Sequence, residues 1–133
     1  MLKLKRNSGA QHILLVEPDA FLSDIYEKNL VMEDFRVTKV GNAERAQKIA
    51  ETKKPDLVIT ALMLPKNNGF ELLSALKAGP ATKDIPVIIL TKLGTKDDVD
   101  KAMALGADGY IIKTHFQPSE IVGMVKKILF HKK

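Results

Sequence analysis

A doubly wound α/β domain, with a five-stranded parallel sheet and helices on both of its faces, is the fold this sequence predicts. Three observations predict it. Five short apolar runs alternate with five helical patterns, without a break, between residues 12 and 131. Two of the runs, ILLV at 13–16 and VIIL at 87–90, are continuously apolar, as strands covered on both faces are. Turn-forming Pro, Asn and Gly fall at the ends of the runs rather than inside them. A strand, helix, strand repeat closes into a parallel sheet through right-handed crossovers, which puts helices on both faces.

The first run ends at Glu17-Pro18-Asp19, and a helix follows through Phe21, Leu22, Ile25, Tyr26 and Leu30, with Asp19 as its N-cap. Residues 36–40 alternate polar and apolar, the pattern of a half-covered edge strand, and Gly41-Asn42 turns the chain into a helix over 43–52. The third strand occupies 57–60 and leads to Ala61; its helix spans 69–78, with Asn67 or Asn68 available as cap. The fourth strand ends at Thr91, and a helix over 96–105 stops at Gly106, a natural residue just past a helix end. Residues 110–112 form the fifth strand, ending at Lys113. Pro118 then opens a last helix carrying Ile121, Val122, Val125, Ile128 and Leu129 on one side. Residues 12–131 read as one domain between two basic tails, 1–11 and 132–133.

Composition excludes several function classes. The chain contains no cysteine, so disulfides, thiolate metal sites and a cysteine nucleophile are absent. No apolar run approaches the roughly 20 residues of a membrane span, and the first residues lack the apolar core of a signal peptide; the expected compartment is the cytoplasm. The net charge of +5 resides in Lys3, Lys5, Arg6, Lys132 and Lys133, which leaves the body neutral. A nucleic-acid binder carries a basic face on the fold itself, with aromatic residues where single strands stack. Neither specific nucleic-acid binding nor membrane binding is therefore expected, because a few terminal phosphate contacts give only weak, salt-sensitive association. His12, His115 and His131 fall in a terminus, a loop and a terminus, with no second ligand at metal spacing, and are expected to be solvated.

In an open parallel sheet the carboxyl ends of the strands face the ligand crevice. Here those ends present Glu17, Ala61, Thr91 and Lys113. At this point the chain resembles the receiver (CheY-like) domain of bacterial two-component response regulators. The match runs over 13–129, through LLVEPDAFL, PDLVITALMLPKNNGFELL, IPVIILT and LGADGYIIK. The resemblance implies a flavodoxin-like sheet in strand order 2-1-3-4-5. It also implies a site in which two acids after the first strand and an aspartate ending the third hold Mg²⁺. That aspartate accepts a phosphoryl group from a histidine kinase, while a hydroxyl and a lysine bind the phosphoryl oxygens.

Carried over residue by residue, Glu17 matches the first acid, Thr91 the hydroxyl, Lys113 the lysine and Tyr110 the aromatic residue that changes rotamer on switching. Two positions depart. Pro18 stands where the second acid belongs, and Ala61 stands at the phosphoacceptor position with neither nucleophile nor lone pair. Thr60 precedes it in a strand and points to the opposite face. Asp19 remains in the residual pocket but matches a position outside the metal pair, and Asn68 is uncharged where related sequences often carry aspartate. Without a carboxylate at 61, Lys113 either pairs with Glu17 or turns to water, a structural role in both cases. Thr91 and Tyr110 also have bland readings, as a strand-end hydroxyl and as sheet packing. Thr114 follows Lys113 where receivers carry proline, often after a cis bond; cis before a non-proline residue costs about 2.5–4 kcal/mol, and both isomers stay open.

The expected function is that of a phosphorylation-independent pseudo-receiver, a protein–protein interaction module in two-component signalling. It has no catalytic residue, no bound metal beyond a vestigial Glu17, and no cofactor. The alternative is a working stand-alone response regulator that accepts phosphate from a histidine kinase with Mg²⁺, seen here with alanine in place of aspartate at position 61. If the pocket is silent, a protein partner or a second copy must read a surface. The resemblance points to the face of the fourth helix, fifth strand and fifth helix. Its charged residues are Lys96, Asp97, Asp100, Lys101, Lys126 and Lys127, beside Tyr110. Leu93, Met103, Val122 and Met124 are its candidate apolar contacts, and mixed charge beside apolar residues suits a protein surface.

Overall fold

The computed structural model describes residues 10–92, 94–113 and 117–130. Strands β1 (His12–Val16), β2 (Arg36–Val40), β3 (Leu57–Ala61), β4 (Val87–Thr91) and β5 (Gly109–Ile112) form one parallel sheet in the order 2-1-3-4-5. Five helices cover it among the described residues: α1 (Ala20–Val31), α2 (Ala43–Lys53), α3 (Gly69–Ala78), α4 (Lys96–Ala104) and α5 (Pro118–Phe130). The sequence places every element, and the observed bounds differ by one or two residues at a few ends. The alternating run 36–40 is the edge strand β2, as its pattern requires.

Because side chains alternate across a strand, each strand feeds two cores. Ile13, Leu15, Leu57, Ile59, Ile88, Leu90 and Ile111 face α1 and α5, meeting Tyr26, Leu30, Ile121 and Val125. Leu14, Val16, Val58, Val87 and Ile89 face the other way, against α2, α3 and α4 through Ala46, Ala50, Leu72, Leu73, Leu76 and Ala102. Helices α2 and α4 carry alanine at these contacts, which brings their backbones close to the sheet. Each of these positions is all but sealed from water, and burying a large aliphatic side chain stabilises the fold by about 1.5–3 kcal/mol.

At the amino ends of the strands one device appears twice. Asp56 starts β3: its N–H donates to the His12 carbonyl at 2.8 Å, and its carboxylate accepts the His12 N–H at 2.7 Å. Asp108 starts β5 and holds Val87 of β4 in the same way, at 2.8 and 2.9 Å. Lys77 of α3 joins this second clamp, with its ammonium 3.3 Å from the Asp108 carboxylate and 2.9 Å from the Ile85 carbonyl.

His12 departs from the sequence expectation. It is buried as the first residue of β1, and its Nε2 shares a 2.8 Å hydrogen bond with the Thr38 hydroxyl. Burial lowers its pKa below the usual value, helped by the Arg36 and Lys53 charges and opposed by Asp56. His115, His131, Leu93, the bond between Lys113 and Thr114, and the tails 1–9 and 132–133 lie outside the described residues.

Candidate functional site

The carboxyl ends of β1, β3, β4 and β5 meet at a cavity of about 380 Å³ bordered by Glu17, Ala61, Thr91 and Lys113. The sequence-predicted residues are therefore brought together. Position 61 is fixed from below. The Gly69 N–H donates to the Leu62 carbonyl at 2.7 Å, and a Cβ on Gly69 would stand 2.6 Å from the Ala61 carbonyl oxygen. Only glycine lets the start of α3 approach the end of β3 this closely. Asn68 is the α3 N-cap, its side chain accepting from the Glu71 N–H at 3.0 Å, and a short bridge between Met63 and Asn68 closes the intervening loop. That loop sets Met63, 66% exposed, at the cavity mouth.

Glu17 is the buried acid of the site. Its Oε1 lies 3.0 Å from the Lys113 ammonium, and its Oε2 accepts the Asp19 N–H at 3.2 Å. Only 3% of the Glu17 side chain and 14% of the Lys113 side chain reach solvent. Lys113 thus pairs with Glu17, one of the two outcomes the sequence leaves open. Since β1 and β5 are separated by β3 and β4, this ion pair spans the sheet over the Ala61 and Thr91 positions.

Asp19 borders the cavity, but its carboxylate serves the helix. Its Oδ1 caps α1, accepting from the N–H groups of Phe21 and Leu22 at 3.0 and 3.1 Å. Pro18 is exposed and offers no side-chain donor or acceptor. Thr60 points away from the cavity, and its hydroxyl donates to the Ala61 carbonyl at 2.9 Å. Thr91 is buried at the cavity wall and has a polar partner of its own. Tyr110 sits on β5, half-buried on the α4 side; burial raises its pKa, with a further push from Asp98.

These residues do not fit a hard divalent cation. Mg²⁺ favours an octahedron of oxygens, several of them water, anchored by one or two free carboxylates. Here one acid is neutralised by a lysine and a second is spent on a helix end, while positions 18 and 61 supply no side-chain oxygen. Among the described residues no three His, Asp or Glu side chains gather as a metal-binding group.

The surface expected to meet a partner is partly redrawn. Val122 is buried in the α1 and α5 core, so it is not an outward contact: the gap between α5 and β5 claims that side of the helix. Lys126 of α5 pairs with Glu33, just past α1, at 2.6 Å and stays exposed. The Lys101 ammonium stands over the Phe70 ring of α3 at 4.5 Å from its centroid. Lys96 pairs with Asp100 at 2.8 Å, while Asp97 and Met103 stay exposed. Sequence reasoning missed Lys92 and Leu22 as cavity residues. Leu22 carried a signal, its place on the apolar stripe of α1, whereas Lys92 had only its position one residue after Thr91.

Comparison with known proteins follows this geometry. The family described as response regulator receiver domain matches residues 13–126. The phosphate regulon transcriptional regulatory protein PhoB of Pseudomonas aeruginosa is 35% identical over 117 residues, covering 88% of this chain and 51% of that protein. The chain spans about half the length of the curated relatives it matches. A signal receiver domain of a signal transduction histidine kinase from Syntrophus aciditrophicus superimposes with a TM-score of 0.84 at 30% identity, covering 93% of both chains. A CheY-like receiver domain protein from Methanospirillum hungatei shares the fold with a TM-score of 0.85 at 23% identity, covering 92% of this chain and 96% of that one. No described helix is long and apolar enough to cross a membrane.

Proposed function

Because the chain belongs to the response regulator receiver domain family of two-component signalling, we propose that it is a pseudo-receiver, which signals through protein contacts without being phosphorylated. Residues 12–131 form the receiver unit, acting in the cytoplasm, with the basic ends outside it. The observation that carries this reading is the buried Glu17–Lys113 pair at the cavity that Ala61 also lines. A receiver site needs a carboxylate nucleophile and a metal to offset the charge that builds as phosphoryl transfers. Here position 61 lacks the nucleophile, and the remaining acid is already neutralised.

Incubation of the full chain with acetyl phosphate and Mg²⁺, followed by intact mass measurement, tests the reading. No added phosphate is expected. A stable adduct mapped to this cavity would overturn it.

The competing reading, a working receiver with alanine substituted at 61, is favoured by Thr91, Tyr110 and Lys113 standing at the family positions. Ala61→Asp separates the two. A pseudo-receiver stays unphosphorylated in that variant, since Pro18 still leaves the metal site short of an acid, whereas a substituted working receiver regains acceptor activity. The partner-reading surface is proposed on α4, β5 and the adjacent flank of α5, where Lys96, Asp97, Asp100, Met103 and Lys127 are exposed.

A further inference from the structure

A second cavity, of about 230 Å³, lies between α1 and the start of α5, walled by Ile25, Ile111 and Ile121. It shares Leu22, Leu90, Lys92 and Lys113 with the first, so the two adjoin along one cleft-like face. Their volumes together fall inside the roughly 300–1,000 Å³ usual for small-molecule sites, which are largely apolar with a few placed polar groups. In this cleft the methyl of Ala61 and the ring of Pro18 occupy positions where acids would otherwise repel an anion and hold water.

Of the charged side chains along the cleft, Lys92 alone has no polar partner among the described residues. Glu17 and Lys113 neutralise each other, and Asp19 is turned onto the first turn of α1. Lys92 borders both cavities, is exposed, and has no ion-pair partner among the described residues. With the Asp19 carboxylate turned onto a helix N-terminus, the free Lys92 ammonium at the rim of an apolar trough selects for an apolar body bearing one negative charge. A compact, strongly hydrated dianion such as phosphate suits it poorly, because the walls cannot replace its lost water.

We propose that this cleft binds a small amphipathic organic acid, with its apolar body along Leu22, Leu90 and Ile111 and its carboxylate at the Lys92 ammonium. The inference rests on the reading above that the cavity holds neither phosphoryl group nor metal. It adds a ligand class to that reading.

The test titrates the ¹⁵N-labelled full chain with octanoate below its micelle concentration, with octylamine as the charge-reversed probe. Saturable amide shifts confined to Leu22, Ala61, Lys92, Ile111 and their neighbours are expected. Lys92→Glu, at an exposed position that leaves the fold alone, should weaken octanoate about ten-fold, the size of turning one attraction into a repulsion. Ala61→Leu, which fills the first cavity, should abolish the shifts around Ala61 and weaken binding. Shifts that are absent or scattered, unchanged affinity in Lys92→Glu, or octylamine binding as tightly as octanoate would each overturn the proposal. Phosphate incorporation sinks the pseudo-receiver reading, whereas silence toward octanoate sinks only this one.

Discussion

At the amino ends of the strands, Asp56 and Asp108 each hold a neighbouring strand through its backbone, whereas at the carboxyl ends the one buried acid, Glu17, faces a lysine 96 residues away. The clamps satisfy strand-end N–H groups that no ladder partner reaches, so the fold itself requires them. Glu17 and Lys113 pair with each other, and apart from the Asp19 N–H on Glu17 they hold no backbone. Pro18 and Ala61, which carry no side-chain donor or acceptor, are therefore accommodated at that end without leaving an orphaned polar atom. Among the described residues no buried side-chain nitrogen or oxygen lacks a partner. One end of the sheet is constrained by folding and the other only by chemistry.

The largest test of this contrast is at the carboxyl end. Lys113→Met strands a buried carboxylate and should cost about 3 kcal/mol in urea unfolding, the lower part of the range for breaking a buried pair. Glu17→Gln combined with Lys113→Met should recover most of that loss. A double variant as unstable as the single one would mean that this end too is required by the fold.

At the amino ends, Asp108→Ala and Asp56→Ala should each cost about 1.5 kcal/mol, the scale of a charged hydrogen bond to backbone. Asparagine, which keeps an acceptor oxygen, should restore part of it. If Asn rescues nothing, the charge rather than the clamp matters, and Lys77 becomes the partner to change next.

A smaller effect is expected with pH. The folded-state pKa of His12 is depressed, so above pH 6.5 both folded and unfolded chains carry it neutral. As pH falls below 6.5 the unfolded chain takes the proton first, and stability should decline until the folded pKa is passed. His12→Gln should flatten that decline. A stability profile unchanged by the substitution would remove His12 from the account.

The smallest expected effect is none. Millimolar Mg²⁺ should leave the melting temperature where it is, because a ligand stabilises only as its concentration exceeds its dissociation constant. A rise in melting temperature abolished by Glu17→Gln would show that the carboxyl end still assembles a cation site.

The elements were legible because their signals are local: apolar runs, helical spacing and caps at Asp19, Asn68 and Gly106. The site was legible through motif order, which put Glu17, Ala61, Thr91 and Lys113 at strand ends before any contact was known. The pairing of Lys113 could be narrowed to two outcomes but not decided, since it depends on how far a side chain reaches across two strands. His12 was misread because neither the Asp56 clamp nor the Thr38 hydroxyl is its sequence neighbour. Val122 was placed outward, and the Lys126–Glu33 pair was not foreseen, for a related reason. A helix pattern gives the width of its buried stripe, but the neighbours decide where that stripe lies and which cation faces which acid.

The packing of α5 on α1 also has a consequence for biosynthesis. The chain leaves the ribosome amino end first, so β1, α1, β2 and β3 can pair while the rest is still being made. The sticky side of α1, with Tyr26 and Leu30, then stays open until Ile121 and Val125 emerge, and Glu17 waits equally long for Lys113. The newborn chain must carry an uncovered apolar helix and an acid without its lysine until β5 and α5 have emerged. That interval is when it most needs a chaperone.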